Sequence, residues 1–537
     1  MLPTLALLLA PPSIAPTAQG GVPELRIDPL LLAEAAEVFE RIARDDNPLW
    51  PGWNARATPI LFYLPGVQDA LVNHPKAPEG FVRVASPLLP PGWTLDLRDG
   101  PTLLALDGQN TSTDVNGVRT LVVADPLSNL RPQLALLLAD ARPVPEREQD
   151  LTVERLAGDP YDQLALIVHE AFHVHQEEHG PQKAASEALL LQYPWLAAEN
   201  NAGFALEGQA LARALGARDE DGAFEAGLEW LAVRKERRAR LPAAALAYED
   251  GTEFNEGLAK YCEWKLATVL EGQSPREPMR WRRGFRGYAD LAPWRARLLR
   301  ELLGHCSGET VVNGDPYGSG GLRFRLYYTG MALGALLDRL GADDWRERMF
   351  EPATTLTGIV EEVLAPDASD LAAALERARA AGGWAGLLAA KKELEQRGNA
   401  AARTAAEAIR ASPALLTLDF SGVDASLGLG FTPFGLTRVD AERTIYGQIP
   451  MHGQLGTTAT FQQESVAPIL VDTRAKTLQF ALAAPLAAGE LARLVGRPAL
   501  PKEPIEGLDL ALPGVKLQAK RAVVEAAGQG LLVKLAR

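Results

Sequence analysis

The chain has 537 residues, 47% hydrophobic and 23% charged, an ordinary globular composition that excludes a disordered, collagen-like or disulfide-scaffold protein. Lys and Arg number 54 against 68 Asp and Glu, and the resulting net charge of −14 disfavours nucleic acid and anionic lipid as partners. Two cysteines, Cys262 and Cys306, cannot build a thiolate metal cluster, so a metal would rely on histidine and carboxylate; the pair leaves one disulfide or two free thiols open.

In chain order, residues 1–20 carry a short apolar run, Leu5 to Ala10, followed by small residues around Ala15 and Ala18. That is the shape of a signal peptide, and it implies an exported protein, periplasmic or extracellular, with a cytoplasmic chain as the alternative. No run of 18 apolar residues occurs, so no transmembrane segment is expected. Residues 21–150 read as a mixed α/β region. Leu31, Leu32, Ala35, Val38, Phe39 and Ile42 recur at helical spacing between Pro29 and about Arg44, and short apolar runs bounded by Pro, Gly and Asn follow at Trp50–Trp53, Pro59–Pro65 and Thr120–Val123.

Residues 151–350 are mostly long helical patterns and form the expected catalytic core. Residues 351–412 continue helical and Ala-rich, with Ser369 or Asp370 starting one helix and Gly382-Gly383 ending it. Residues 413–537 alternate, as in Thr477–Leu482 and Val515–Ala519, and read as a C-terminal β domain. The fold class is therefore α+β and multidomain.

Chemistry concentrates in one predicted helix. Asp159 suits its N-cap, Pro160 its first turn and Gly180-Pro181 its stop. Inside it, His169-Glu170-Ala171-Phe172-His173 places two imidazoles four residues apart, about 40° from one another around the axis, so both can reach one metal ion. Glu170 lies beside the water such an ion would activate. His175 and His179 fall off that face and read as structural or solvent-facing. Two histidines leave a catalytic zinc one protein ligand short.

Asn255-Glu256-Gly257-Leu258-Ala259-Lys260-Tyr261-Cys262-Glu263 resembles the Asn-Glu-Gly-x-Ala-x-Tyr-x-Glu segment of the aminopeptidase N family, within the thermolysin-like zinc peptidases called gluzincins. The resemblance implies a helical gluzincin core, a zinc ion, Glu256 as third ligand and a peptide or protein substrate. Glu207 and Glu253 are rival ligands; only Glu256 carries the preceding Asn and the following Tyr and Glu. Glu263 is two helical turns beyond Glu256, shares its face, and is placed to orient a ligand from behind. Tyr327-Tyr328-Thr329-Gly330 is similar to the Tyr-x-x-Gly helix start whose tyrosine, here Tyr327, stabilises the tetrahedral intermediate in that family. The family's Gly-x-Met-Glu-Asn segment, which binds a peptide amino terminus, is absent.

Other motifs carry less. Arg234–Arg240 reads as a solvated helix face with ion pairs, and Arg280–Arg286 as a groove lining or as snorkelling side chains. Gly314–Gly321 lacks a phosphate-loop continuation and reads as a mobile rim. No Gly-x-Ser-x-Gly elbow occurs. The expected protein is a zinc-dependent metallopeptidase using His169, His173 and Glu256 as ligands, Glu170 as general base and Tyr327 at the oxyanion. A non-catalytic exported zinc-containing binding module and a zinc hydrolase of a non-peptide bond are the alternatives.

Overall fold

The computed structural model describes residues 23–42, 46–104, 106, 108–126, 159–311, 318–424, 427–430, 435–447, 451–463, 467–486, 490–494, 500 and 502–536. The expected signal peptide, residues 151–158 and residues 312–317 of the Gly-rich stretch lie outside them. The chain is mixed helix and sheet, with one sheet in its N-terminal part and another in its C-terminal part. It divides into two units: Met1–Ala184 with Glu253–Arg300 and Gly330–Ile359, and Ala185–Thr252 with Glu301–Thr329 and Val360–Arg537. Among the described residues, no helix is long and apolar enough to cross a membrane.

The first unit is built on a six-stranded sheet: β1 (Ile60–Leu64), β2 (Gln68–Val72), β3 (Val82–Val84), β4 (Leu95–Asp99), β5 (Thr111–Val115) and β6 (Val118–Ala124), in the order β3-β4-β2-β1-β6-β5. All neighbours are antiparallel except β1 and β6, which pair with Ile60 opposite Leu121. Asn116 and Gly117, both at positive φ, close the β5–β6 hairpin in two residues, the backbone that an Asn-Gly pair favours. Trp50–Trp53 is a turn rather than a strand, because Pro51 and Gly52 break the ladder.

The helix Pro160–His179 packs on β5 and β6 and on the helix Leu30–Ile42. Its start is the one the sequence anticipates: Asp159 accepts a hydrogen bond from the Tyr161 backbone N–H at 3.0 Å, and Pro160 opens the first turn. Phe172 is fully buried against Trp50 and Trp53, with ring centroids 4.8 and 5.3 Å away. Trp50 also meets Tyr261, Trp345 and Phe350 edge-on, so one aromatic cluster fastens this helix to the helix Leu258–Leu270. Arg282 does not line a groove: it is ion-paired with Asp28 and Glu34 at 2.6 and 2.7 Å. Burial dominates there and pushes the Glu34 carboxyl up to about 7.

The second unit combines helices with an eleven-stranded sheet between Leu415 and Leu535. The alternation in Val515–Ala527 buries Val515, Leu517, Ala519, Ala522 and Val524 and exposes Lys516 and Gln518. Those buried residues join Phe204, Tyr248, Leu322 and Leu326 in one core. The helix Ala368–Ala381 is capped by Asp367, whose carboxylate accepts from the backbone of Ser369 and Asp370, so the start falls just ahead of the pair that the sequence offered.

The basic run Arg234–Arg240 corrects the sequence reading, because its core is buried. Glu207 bonds Arg234 at 2.9 and 3.0 Å and Arg237 at 2.5 Å, and all three side chains are shut off from solvent. Arg237 grips Glu249 through two parallel bonds of 2.5 and 2.9 Å, and Arg238 reaches the same carboxylate at 2.7 Å. Desolvation opposes the charge on Glu249, yet the Arg237 and Arg238 guanidiniums outweigh it and hold the carboxyl well below its ordinary range.

A native value below the unfolded 4.5 means that the native chain binds fewer protons between the two values. The network's stabilisation is complete above about 4.5 and is lost as the pH falls from there through the lower native value. Glu249→Gln, which leaves buried guanidinium charge unanswered, should cost about 3 kcal/mol at neutral pH. Urea unfolding across the acid range should then show a shallower acid decline in the variant than in the native chain; parallel curves would contradict this.

Candidate metal centre

The helix Pro160–His179 and the turn Glu253–Gly257 supply one group suited to a metal ion: His169, His173 and Glu256, with one donor atom from each lying within 4.8 Å of the others. His169 and Glu256 are buried and His173 is half-buried. Glu256 Oε2 lies 3.2 Å from His169 Nε2 and 3.4 Å from His173 Nε2. With bond lengths of about 2.1 Å, two ligands of a tetrahedral zinc ion stand about 3.4 Å apart, so these separations are edges of such a tetrahedron as well as hydrogen-bond contacts.

The turn that delivers Glu256 is π-helical over Glu253–Gly257, and the helix Leu258–Leu270 follows directly. A single π turn is uncommon and occurs often at functional sites, since it rotates the following side chains relative to an α-helix. Gly251, Asn255 and Gly257 make the sequence there a weak α-helix former. A second glycine permits the packing outside it: a Cβ on Gly330 would stand 2.6 Å from Gly257 Cα and 3.0 Å from the Glu253 carbonyl oxygen. Gly330 is the glycine of the Tyr-x-x-Gly pattern, and its backbone lies against the ligand turn.

Each histidine is gripped from behind. His169 Nδ1 lies 2.8 Å from Glu263 Oε1, and Lys260 Nζ donates to the other oxygen of Glu263 at 2.8 Å. His173 Nδ1 lies 2.8 Å from Gln176 Oε1, while Gln176 Nε2 donates to the Phe254 carbonyl at 2.5 Å and so ties the helix to the π turn. These contacts hold both rings from the Nδ1 side and leave the Nε2 atoms facing Glu256. Burial works against a charge on His169, but Glu256 and Glu263 outweigh it and push the ring up to about 10. Burial likewise opposes the ionised Glu263, and Lys260 with His169 pulls it down to about 2. The centre calls for positive charge, which a bound dication supplies in place of ring protons.

Glu170, half-buried on the same helix, is not one of the converging groups, although its charge is felt by His173. Of the rival ligands, Glu207 is held by Arg234 and Arg237 in the second unit, and Glu253 is buried within the π turn. His175 is buried between Phe172 and Phe350, and the His179 ring lies against it at 4.1 Å, tilted by 41°. Tyr327 belongs to the second unit, half-buried, with its ring stacked on Phe324 at 5.2 Å and the Arg323 guanidinium above it. It does not open its helix, which begins at Ser319; Tyr328 is buried and donates to Glu301 at 2.6 Å.

Cys262 and Cys306 are both buried free thiols, so no bridge joins them. Burial raises both thiols, Cys306 to about 12. Gln176 went unnoticed in the sequence; its signal is its place three residues after His173, on the same helix face.

In comparisons with protein families, curated proteins and solved structures, this chain matches none.

The close approach at Gly330 makes a sharp prediction. Gly330→Ala must displace the backbone that carries Glu256, so the group's affinity for a divalent metal ion, measured by titration of metal-free protein, should fall by about tenfold or more. Gly341→Ala, at a glycine with open space around it, serves as the comparison and should affect stability alone. Unchanged affinity in Gly330→Ala would show that the turn does not depend on this contact.

Proposed function

We infer that the chain is a zinc-dependent hydrolase that cleaves peptide bonds, with His169, His173 and Glu256 holding the ion and Glu170 as the general base. The observation that carries this reading is the convergence of two Nε2 atoms and one carboxylate oxygen at separations of 3.2 and 3.4 Å, with both opposite ring nitrogens held. Three protein ligands leave a fourth position open, as catalytic rather than structural zinc sites do. The donor set, two imidazoles and one carboxylate, also suits zinc.

A zinc ion bound there supplies Lewis acidity toward the scissile carbonyl and makes water a better proton donor. The remaining work falls to the chain. Glu170, adjacent to His169 in sequence and outside the ligand set, accepts the proton from the attacking water at its carboxylate and delivers it to the departing amine. Glu263 and Gln176 keep both rings from turning, so the Nε2 atoms stay aimed at one point. Lys260 keeps Glu263 ionised and therefore able to accept from His169 Nδ1.

Metal analysis of purified protein combined with a peptide-library digest tests the reading. Glu170→Gln should retain one zinc ion per chain and lose about two to four orders of magnitude in kcat. Glu256→Ala should purify with little or no zinc, whereas Glu207→Ala should keep it. Zinc-loaded Glu170→Gln with near-native turnover would refute the mechanism, and zinc retained in Glu256→Ala would refute the ligand set.

A further inference from the structure

Beside the metal group, within the same unit, lies a cavity of about 620 Å³, ample for a side chain and its neighbouring backbone. Its walls include Gln176, which holds His173, and Asn255, whose amide donates to Glu256 at 3.3 Å. The cavity therefore shares residues with the supports of two of the three converging groups. Its remaining charged lining is Glu177 and Glu178 at the end of the histidine helix, and Asp114 and Arg119 on the β5–β6 hairpin.

The charges do not cancel. Arg119 is ion-paired with Glu177, and Ser112 Oγ donates to the same carboxylate at 2.8 Å, so that negative charge is answered. Asp114 and Glu178 are exposed and make no ion pair among the described residues. Three carboxylates against one guanidinium leave a net charge of −2 on the lining. A cationic group entering this space gains attraction, and an anionic one meets repulsion.

The geometry points to a subsite for a lysine or arginine side chain of the substrate, flanking the bond to be cleaved. This rests on the hydrolase reading and adds the substrate class. Because Asp114 and Glu178 are solvent-exposed, the preference is moderate, about threefold to tenfold over a neutral side chain. It also weakens as salt screens the pair.

The test uses peptides carrying either lysine or acetyl-lysine at each position around the bond that the library digest identifies, or at every position where no cleavage occurs. Binding is measured on zinc-loaded Glu170→Gln, and kcat/KM on the native chain. At one position the lysine peptide should bind about threefold to tenfold more tightly at low salt. That ratio should narrow at high salt and fall toward one when Asp114→Asn and Glu178→Gln are added.

Equal binding at every position, no binding of either peptide, or a ratio unmoved by the two substitutions would overturn the subsite. Charge-selective binding without any cleavage by the native chain would overturn the hydrolase reading and leave the subsite standing. Cleavage without charge preference would do the reverse.

Discussion

Two imidazole nitrogens are brought to 3.2 and 3.4 Å from one carboxylate oxygen in a site that is largely closed to water. Such a convergence needs positive charge at its centre, since a buried carboxylate among lone pairs is otherwise costly. The contacts around it enforce that arrangement. Glu263 and Gln176 fix the rings from behind, the π turn aims Glu256, and Gly330 lets a neighbouring backbone brace that turn. The aromatic cluster around Trp50 holds the two helices that carry these residues together. Loosening any of these contacts widens the spacing that a small cation needs, and ligand spacing is what sets the strength of the site.

Parts of this arrangement were legible in the sequence for clear physical reasons. The histidine helix announces itself through its cap, its first-turn proline and its four-residue spacing, all local properties of the backbone. The alternation of the C-terminal strands is local in the same way, because side chains on a strand point alternately to either face. The place of Glu263 behind His169 follows from two helical turns, once Glu256 is taken as the partner.

What escaped depends on residues distant in sequence. The charge pattern of Arg234–Arg240 is that of an exposed helix; only the tertiary partners Glu207 and Glu249 draw Arg234 and Arg237 inside. The π turn escaped because its period departs from the 3.6 residues that any helical reading assumes. Gln176 is held against His173 by the Phe254 carbonyl that this turn presents to its amide. The start of the helix at Ser319 was hidden by the Gly-rich stretch leading into it, which has weak helical propensity of its own. The Asn116-Gly117 hairpin was readable in principle, since that dipeptide is among the strongest short-range turn signals.

The discontinuity of the first unit bears on how the protein is made. Between His173 and Glu256 the chain builds residues 185–252, which belong wholly to the second unit. A ribosome therefore completes the histidine helix long before it delivers the carboxylate, and a nascent chain stalled in between offers a cation two nitrogens and nothing more. An ion captured once Glu256 emerges closes a long loop of polypeptide, and closing a loop removes freedom from the unfolded chain much as a covalent cross-link does. An ion held there would be a fastener installed late in synthesis, and metal supply would then bear on the yield of folded protein.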